Sequence, residues 1–216
     1  MNKCFITGAD VNHEDLLPWW LYNIKTHNPD IDVMVYDFGI SPAILEYLKG
    51  NKVEVSPPMV HGKKAWFFKP RAMLETPHDY VCWIDADCEV LEPIDDIFKY
   101  PTDTKMALTK DLVRPMYWAT GVNVVKGKPD ILKRWVERCE NNPKGTIGDQ
   151  ECLGDMIGVS EEFIVEMPQE YQWLRLMLQE GYDSPDKKII HWTGPKGKLH
   201  IRTRLMNENK IYTNAK

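Results

Sequence analysis

The sequence predicts an α/β fold, a single domain with a mostly parallel central sheet flanked by helices. Two observations carry this. Short apolar runs alternate with amphipathic segments along the chain, and the order they give up to residue 85 is β-α-β-α-β-α-β. Such alternation is resolved by parallel strands joined through helices that cover the sheet.

In order, KCFITGA (3–9) reads as a buried strand ending in Thr-Gly. EDLLPWWLYNIKTH (14–27) has helical spacing, with Pro18 tolerated in its first turn. IDVMVYD (31–37) is a second strand, and SPAILEYLKG (41–50) a helix with Ser41 as N-cap, Pro42 at its first position and Gly50 as its stop. NKVEVS (51–56) gives a short third strand. After a Pro/His/Gly loop, AWFFKPRAMLET (65–76) is helical, broken or started at Pro70, and HDYVCWID (78–85) is the next strand. Downstream follow a short helix at 93–100, strands at 104–110 and 117–127, and a helix at 129–140 begun by Pro129. A further helix at 148–158 and a final strand at 187–192 complete the order, with no repeat or convincing linker.

The chain has 216 residues, 43% of them hydrophobic and 27% charged, ordinary values for one globular domain. No run approaches the roughly 20 apolar residues of a membrane helix, and the N-terminal apolar stretch is too short for a signal peptide. The five cysteines, Cys4, Cys82, Cys88, Cys139 and Cys152, are scattered and never form a C-x-x-C pair. That usage suits reduced thiols in a cytoplasmic compartment better than a disulfide or zinc framework. The net charge of −5 hides an asymmetry: residues 187–216 hold eight Lys/Arg and one acid, Glu208, a balance of +7 that leaves −12 on the rest. A basic end on an acidic body points to a local anion site or an acidic contact surface, or to a solvated tail over the last dozen residues, with 196–216 read as a partly ordered tail of the one domain.

The stretch VCWIDADCEV (81–90) ends an apolar strand in two aspartates, Asp85 and Asp87. With 17 Asp in the chain the bare pattern means little, and it recurs at Asp30 and Asp32. Position separates the copies. Asp85 and Asp87 close a parallel strand, where ligands of such sheets bind, whereas Asp30 and Asp32 enter theirs. Two carboxylates held this close repel unless they share a proton or a cation, and Mg²⁺ or Mn²⁺ suits carboxylate plus phosphate oxygens. An EF-hand loop is excluded, since its sixth position needs Gly and here is Val90. An aspartyl-phosphate phosphatase carries such a pair after its first strand, not some 80 residues into the chain.

VCWIDADCEVLEPIDDIF resembles the strand, Asp-x-Asp and short helix of the A-type nucleotide-sugar glycosyltransferases, and is most similar to the family of glycogenin and the lipopolysaccharide galactosyltransferases. Other segments match in order: ITGADVN (6–12), a basic pair at Lys69 and Arg71, ATGVNVVKGKPDILKRW (119–135), GDQE (148–151) and HWTGPKGK (191–198). The family's Asn in its Asn-Ala-Gly strand corresponds to Ala119, with Thr120 or Asn123 as replacement, and its terminal Lys corresponds to Gly197, flanked by Lys196 and Lys198.

The resemblance implies a Rossmann-like nucleotide-sugar transferase fold and a metal-dependent transfer from a nucleotide-diphosphate sugar, a UDP-sugar by the first-strand pattern. The acceptor would be a glycan, glycolipid or protein-linked sugar, and the anomeric configuration would be retained. It implies that Asp85, Asp87 and His191 hold Mn²⁺ or Mg²⁺. Thr7, Gly8, Asp10 and Asn12 would surround the base and ribose. Lys69, Arg71, Asp85, Ala86, Gly194 and Lys196 or Lys198 would bind the nucleotide-sugar. Asp149 and Gln150 would face the sugar as catalytic residues, as nucleophile or as stabilisers of an oxocarbenium-like state. Without the resemblance, Asp149 reads as a helix N-cap. Trp19, Trp20 and Trp135, at helical spacing, are expected in the core, and Trp66, Trp118 and Trp192 near the site. Asp95 and Asp96 read as a helix start. The stretch Lys196–Arg204 could meet anionic lipid. No nucleic-acid partner is implied, and the lack of a membrane anchor in the sequence points towards a bacterial or viral enzyme working from the cytoplasmic side. Two other functions share these residues: a metal-dependent nucleotidyltransferase or phosphohydrolase, and a nucleotide-sugar-binding domain without turnover.

Overall fold

A computed structural model of the chain describes residues 2–59, 64–114, 117–141 and 146–211. Part of the loop expected before residue 65 and the end of the basic segment, 212–216, lie outside the described residues.

Strand β1 (Lys3–Ala9) leads through a single 3-10 turn into helix α1 (Leu17–His27), with Pro18 in the helix's first turn. β2 (Asp32–Asp37), α2 (Pro42–Gly50) and β3 (Glu54–Val55) follow. The segment expected as one helix over 65–76 is a 3-10 turn, Ala65–Phe68, and then α3 (Lys69–Glu75) with Pro70 in its first turn. β4 (Tyr80–Ile84) ends one residue before Asp85, and β5 (Cys88–Val90) starts one residue after Asp87. β6 (Met106–Lys110), β7 (Trp118–Lys126), α4 (Asp130–Glu140) and α5 (Asp149–Ile157) match the expected order. The short elements β8 (Ile164–Glu166), β9 (Trp173–Leu174) and α6 (Arg175–Gln179) were not expected. β10 (Ile189–His191) is the strand read at 187–192. Beyond it, α7 (Gly194–His200) runs through a π-wound stretch, Ile201–Leu205, into α8 (Met206–Glu208). Among the described residues of the basic segment, Ile201, Leu205 and Met206 are buried against the core.

The seven-stranded sheet has the order β3-β2-β1-β4-β7-β6-β8. It is mostly parallel; β7 alone runs antiparallel to its neighbours β4 and β6. The chain steps outward from β1 to β2 and β3, then returns to the other side of β1 with β4. This reversal opens a crevice at the carboxyl ends of β1 and β4, the place where α/β sheets bind ligands. A second, three-stranded sheet, β5-β10-β9, sets β10 antiparallel to β5 with His191 opposite Cys88.

Alternate residues of the strands feed two cores, one on each face. Phe5, Cys82 and Ile84 join Trp19 and Trp20 on one side, and Cys4, Ile6, Val81 and Trp83 join Trp135 on the other. Trp19, Trp20 and Trp135 are fully buried, as their spacing predicted. Burying a large apolar side chain contributes roughly 1.5–3 kcal/mol, so the two faces hold the crevice walls firmly. Among the described residues no helix is long and apolar enough to cross a membrane.

Candidate active site

Residues from seven of these strands and helices and their loops line one cleft of about 730 Å³ at the β1/β4 crevice. Among them are Gly8, Asp10, Lys69, Asp85, Ala86, Asp87, Asp149, Gln150, His191, Gly194 and Lys198, so most of the sequence-predicted residues meet here.

The two aspartates are each held by one lysine. Lys69 is 3% exposed, and its ammonium has three acceptors: Thr120 O at 2.8 Å, Asp85 Oδ1 at 2.9 Å and Asp149 Oδ2 at 3.0 Å. That uses all three of its protons. Trp83 Nε1 donates to the same Asp85 oxygen at 2.6 Å. Lys198 Nζ lies 2.5 Å from Asp87 Oδ2. The remaining oxygens turn to His191, whose Nε2 is 3.2 Å from Asp87 Oδ1 and 3.7 Å from Asp85 Oδ2. The imidazole is braced from behind by Gln172, whose Nε2 lies 3.4 Å from Nδ1 and whose Oε1 accepts from Val122 N at 2.8 Å. Gly121 leaves room for this, because a Cβ there would overlap both the His191 ring and the Gln172 amide.

Charge follows geometry. Burial works against a charged Lys69, but Asp149 and Asp85 outweigh it and hold the ammonium above its usual range. Burial also opposes ionisation of Asp87, yet His191 and Lys198 keep its carboxyl well below the normal value. Burial pushes Asp149 up, with Lys69 pulling the other way.

A divalent cation fits this donor set. Asp85 Oδ2 and Asp87 Oδ1 both face His191 Nε2, and carboxylate oxygen with imidazole suits Mn²⁺ or Mg²⁺ rather than a thiolate-seeking metal. Among the described residues, the tight cluster is Asp87, Cys88 and His191, whose ligand atoms lie within 4.8 Å of one another, with Asp85 outside it. Cys88 is fully buried, and burial pushes its thiol well above the ordinary value.

Asp149 opens α5 but caps nothing: Gly148 holds the N-cap position, and the Asp149 carboxylate takes Lys69 and, at 2.9 Å, the Thr120 hydroxyl. Gln150 Nε2 donates to the buried Asp111 at 2.8 Å, and Asp111 also accepts from Arg114. At the other wall, Asp10 accepts from Asn12 and meets His13 at 3.2 Å. A Cβ on Gly8 would run into the Phe38 ring, which keeps the backbone bare beside the cleft.

Some expected residues stand elsewhere. Thr7 is fully buried within the ladder opposite Val35, and Asn12 is exposed, spending its groups on Asp10. Arg71 turns away to Glu140 at 2.7 Å and Glu75 at 3.7 Å; residues two apart on a helix do not share a face, so α3 presents Lys69 to the cleft and Arg71 to α4. Lys196 is exposed outside the cleft lining while Lys198 enters it. The lysine cannot sit at 197, because Gly197 packs so closely on Trp192 that a Cβ would overlap its carbonyl. Ala119 and Asn123 are buried, with Asn123 Nδ2 donating to Thr120 O, so neither lends the cleft a hydrogen bond. Of the expected tryptophans only Trp66 lines the cleft; Trp118 is buried, and Trp192 donates to Glu89 and stacks on His200. Trp83, Asp111, Arg114 and Gln172 escaped the sequence reading, having no spacing signal of their own.

No protein-family pattern and no curated protein matches the chain. Solved structures do. GlyE, a glycosyltransferase of Streptococcus pneumoniae TIGR4, superposes with a TM-score of 0.71 at 14% identity over 89% of this chain. LgtC, a galactosyltransferase in complex with donor and acceptor sugar analogues, superposes at 0.63 and 18% identity, over 89% of this chain and 87% of its own. The fold is that of the A-type glycosyltransferases. The bifunctional glycosyltransferase WbbM also shares it, at a TM-score of 0.62 and 14% identity. The chain spans 55% of the GlyE chain and 46% of the WbbM chain. In this A-type fold the cleft described above lies at the carboxyl ends of the parallel strands, where the sequence had placed it.

Proposed function

We propose that the protein is a metal-dependent glycosyltransferase that moves a sugar from a UDP-sugar to a carbohydrate-type acceptor with retention of anomeric configuration. One observation carries the reading. Asp85 and Asp87 each give one oxygen to a lysine and turn the other towards His191 Nε2, within an A-type fold.

The geometry supports a role for each wall. Transfer breaks the bond between the anomeric carbon and a phosphate oxygen, so negative charge grows on the departing diphosphate. A divalent cation held by Asp85, Asp87 and His191 would neutralise that charge as it forms. Lys198, at the same carboxylate, is placed to donate to the diphosphate as well. Lys69 keeps Asp85 and Asp149 in fixed positions while remaining charged. Gly8 and Asp10 form the base and ribose wall, and Gln150, fixed by Asp111, faces the donor sugar beside Asp149. Contact with anionic lipid draws less support, since Arg202 pairs with Asp15 and Arg204 with Glu208.

The test is hydrolysis of a panel of nucleotide sugars with Mn²⁺, Mg²⁺ or chelator, beside Asp87→Asn. Slow release of nucleoside diphosphate from one donor, abolished by chelator and by the substitution, is expected. Consumption of nucleoside triphosphates or phosphomonoesters instead would replace this reading with phosphoryl or nucleotidyl chemistry. Metal-dependent binding without any turnover, acceptors included, would make the protein a binder.

A further inference from the structure

The segment after β1 has two faces: Asp10 and His13 line the cleft, whereas Val11 and Asn12 are exposed. Asp10 gathers the segment onto itself. Its carboxylate accepts from Asn12 N and Asn12 Nδ2 and meets His13 Nδ1, and its carbonyl accepts from His13 N and Glu14 N. Among the described residues, one side chain from elsewhere in the chain hydrogen-bonds to residues 10–13. It is Arg202, whose Nη2 donates to Asn12 O at 3.4 Å. The same guanidinium grips Asp15 as a fork, Nε to Oδ2 at 2.5 Å and Nη2 to Oδ1 at 2.8 Å. Four residues apart on one helical run, Lys198 and Arg202 are neighbours on its surface. Lys198 reaches Asp87, and Arg202 reaches the segment after β1. The run is π-wound from Ile201 to Leu205, a distortion frequent at functional sites. Arg204, in the same stretch, pairs with Glu208 on its own run.

We propose that Arg202 is a positioning residue for base selection: by forking Asp15 and holding the Asn12 carbonyl, it fixes the wall made by Asp10 and His13 without touching the nucleotide. This rests on the glycosyltransferase reading, in which that wall meets the base and ribose. A wall that wanders among several arrangements lowers the apparent affinity by the fraction of molecules in the competent one. A clamp outside the cleft keeps that fraction high. The ion pair is partly exposed, with side chains 38% and 33% accessible, and pairs of that kind add little to global stability. Its loss is therefore read in the choice of ligand rather than in folding. Lysine has no fork to match a carboxylate and cannot replace the arginine here.

The experiment measures UDP and ADP binding to the full chain by calorimetry with MnCl₂ present, so that no turnover is needed. The parent should prefer UDP, which uses the wall, over ADP, which carries the wrong base for it and is held through its diphosphate alone. Arg202→Met should weaken UDP by about tenfold and ADP far less, so that the preference narrows as the competent fraction falls. Its melting temperature should stay within about 3 °C of the parent. Arg202→Lys should behave like Arg202→Met, since the fork is lost. Asp15→Asn, which leaves Arg202 in place and weakens the pair, should narrow the preference in the same direction. Arg204→Gln removes a charge from the same π-wound stretch and should reproduce the parent. Unchanged UDP affinity in Arg202→Met and Asp15→Asn refutes the clamp and leaves the glycosyltransferase reading standing. Equal weakening of UDP and ADP with a lower melting temperature does the same, since it marks a purely structural pair. A parent that binds neither nucleotide, or that prefers ADP, overturns the clamp and the UDP-sugar reading together.

Discussion

Lys69 Nζ and Asp149 Oδ2 meet at 3.0 Å inside the protein, joining the first residue of α3 to the first residue of α5. With Asp85 as the third member, this pair ties the strand-end aspartates to the wall that faces the sugar. Removing the ammonium would leave two close carboxylates, one of them buried, without compensation. Breaking a buried pair from one side costs on the order of 3–5 kcal/mol. Lys69→Met is therefore expected to lower the melting temperature by roughly 6–20 °C, taking about 2–4 °C per kcal/mol for a domain of this size. A melt within about 2 °C of the parent, measured by circular dichroism, would show that the cluster does not depend on Lys69.

The space at Gly121 is reserved for the His191 ring and the Gln172 amide. Both are side chains and can give way, so Gly121→Ala should keep the fold and displace the imidazole instead. Disturbing the support of a metal-ligating histidine typically costs 10- to 100-fold in metal affinity. Mn²⁺ binding in the presence of UDP should weaken by about that factor, with the melting temperature little changed. Unaltered Mn²⁺ affinity would remove His191 from the ligand set.

Gly197 presses against a backbone carbonyl, which cannot move aside as a side chain can. Gly197→Lys, which would return the lysine to the position the family pattern gives it, should therefore fail to improve diphosphate binding. It should also destabilise the protein by roughly 1–3 kcal/mol or more, as overpacking does. Denaturant unfolding and UDP binding on the one variant check both halves. A stable variant with tighter UDP binding would contradict the collision.

All five cysteines are buried, and burial raises every thiol: Cys4 to about 12, Cys82 and Cys88 well above the usual value, Cys139 and Cys152 in the same direction. The reactive form is the thiolate. Ellman's reagent at pH 8 should accordingly release almost no chromophore from the native chain and five equivalents after denaturation. One fast equivalent in the native state, lost in Cys88→Ser, would bring that sulfur back as a candidate ligand.

The sequence showed most of the N-terminal half because β1, β2 and β4 are apolar runs buried on both faces, separated by helices with clear punctuation. The strand-end aspartates could be found for the same reason: a charge pair after such a run stands out. The C-terminal part was harder. β8 and β9 are three and two residues long, and α6 is five, too short for any period to register. Lys196 and Lys198 could not be told apart by spacing, since the choice turns on a backbone contact between Gly197 and Trp192. Arg71 was credited beside Lys69 although two positions on a helix point different ways. Gln172 left no trace, because its role exists only once β9 and β10 are side by side.

The antiparallel pairing of β10 with β5 means that the site joins segments synthesised well apart in time. Asp85 and Asp87 leave the ribosome long before His191 and Lys198, and the seven-stranded sheet needs neither of the latter. A chain that stopped after β8 would carry the whole of that sheet and the aspartate pair, yet lack the imidazole and the second ammonium. Full competence at this centre thus doubles as a check on length, open only to molecules whose synthesis has passed residue 198.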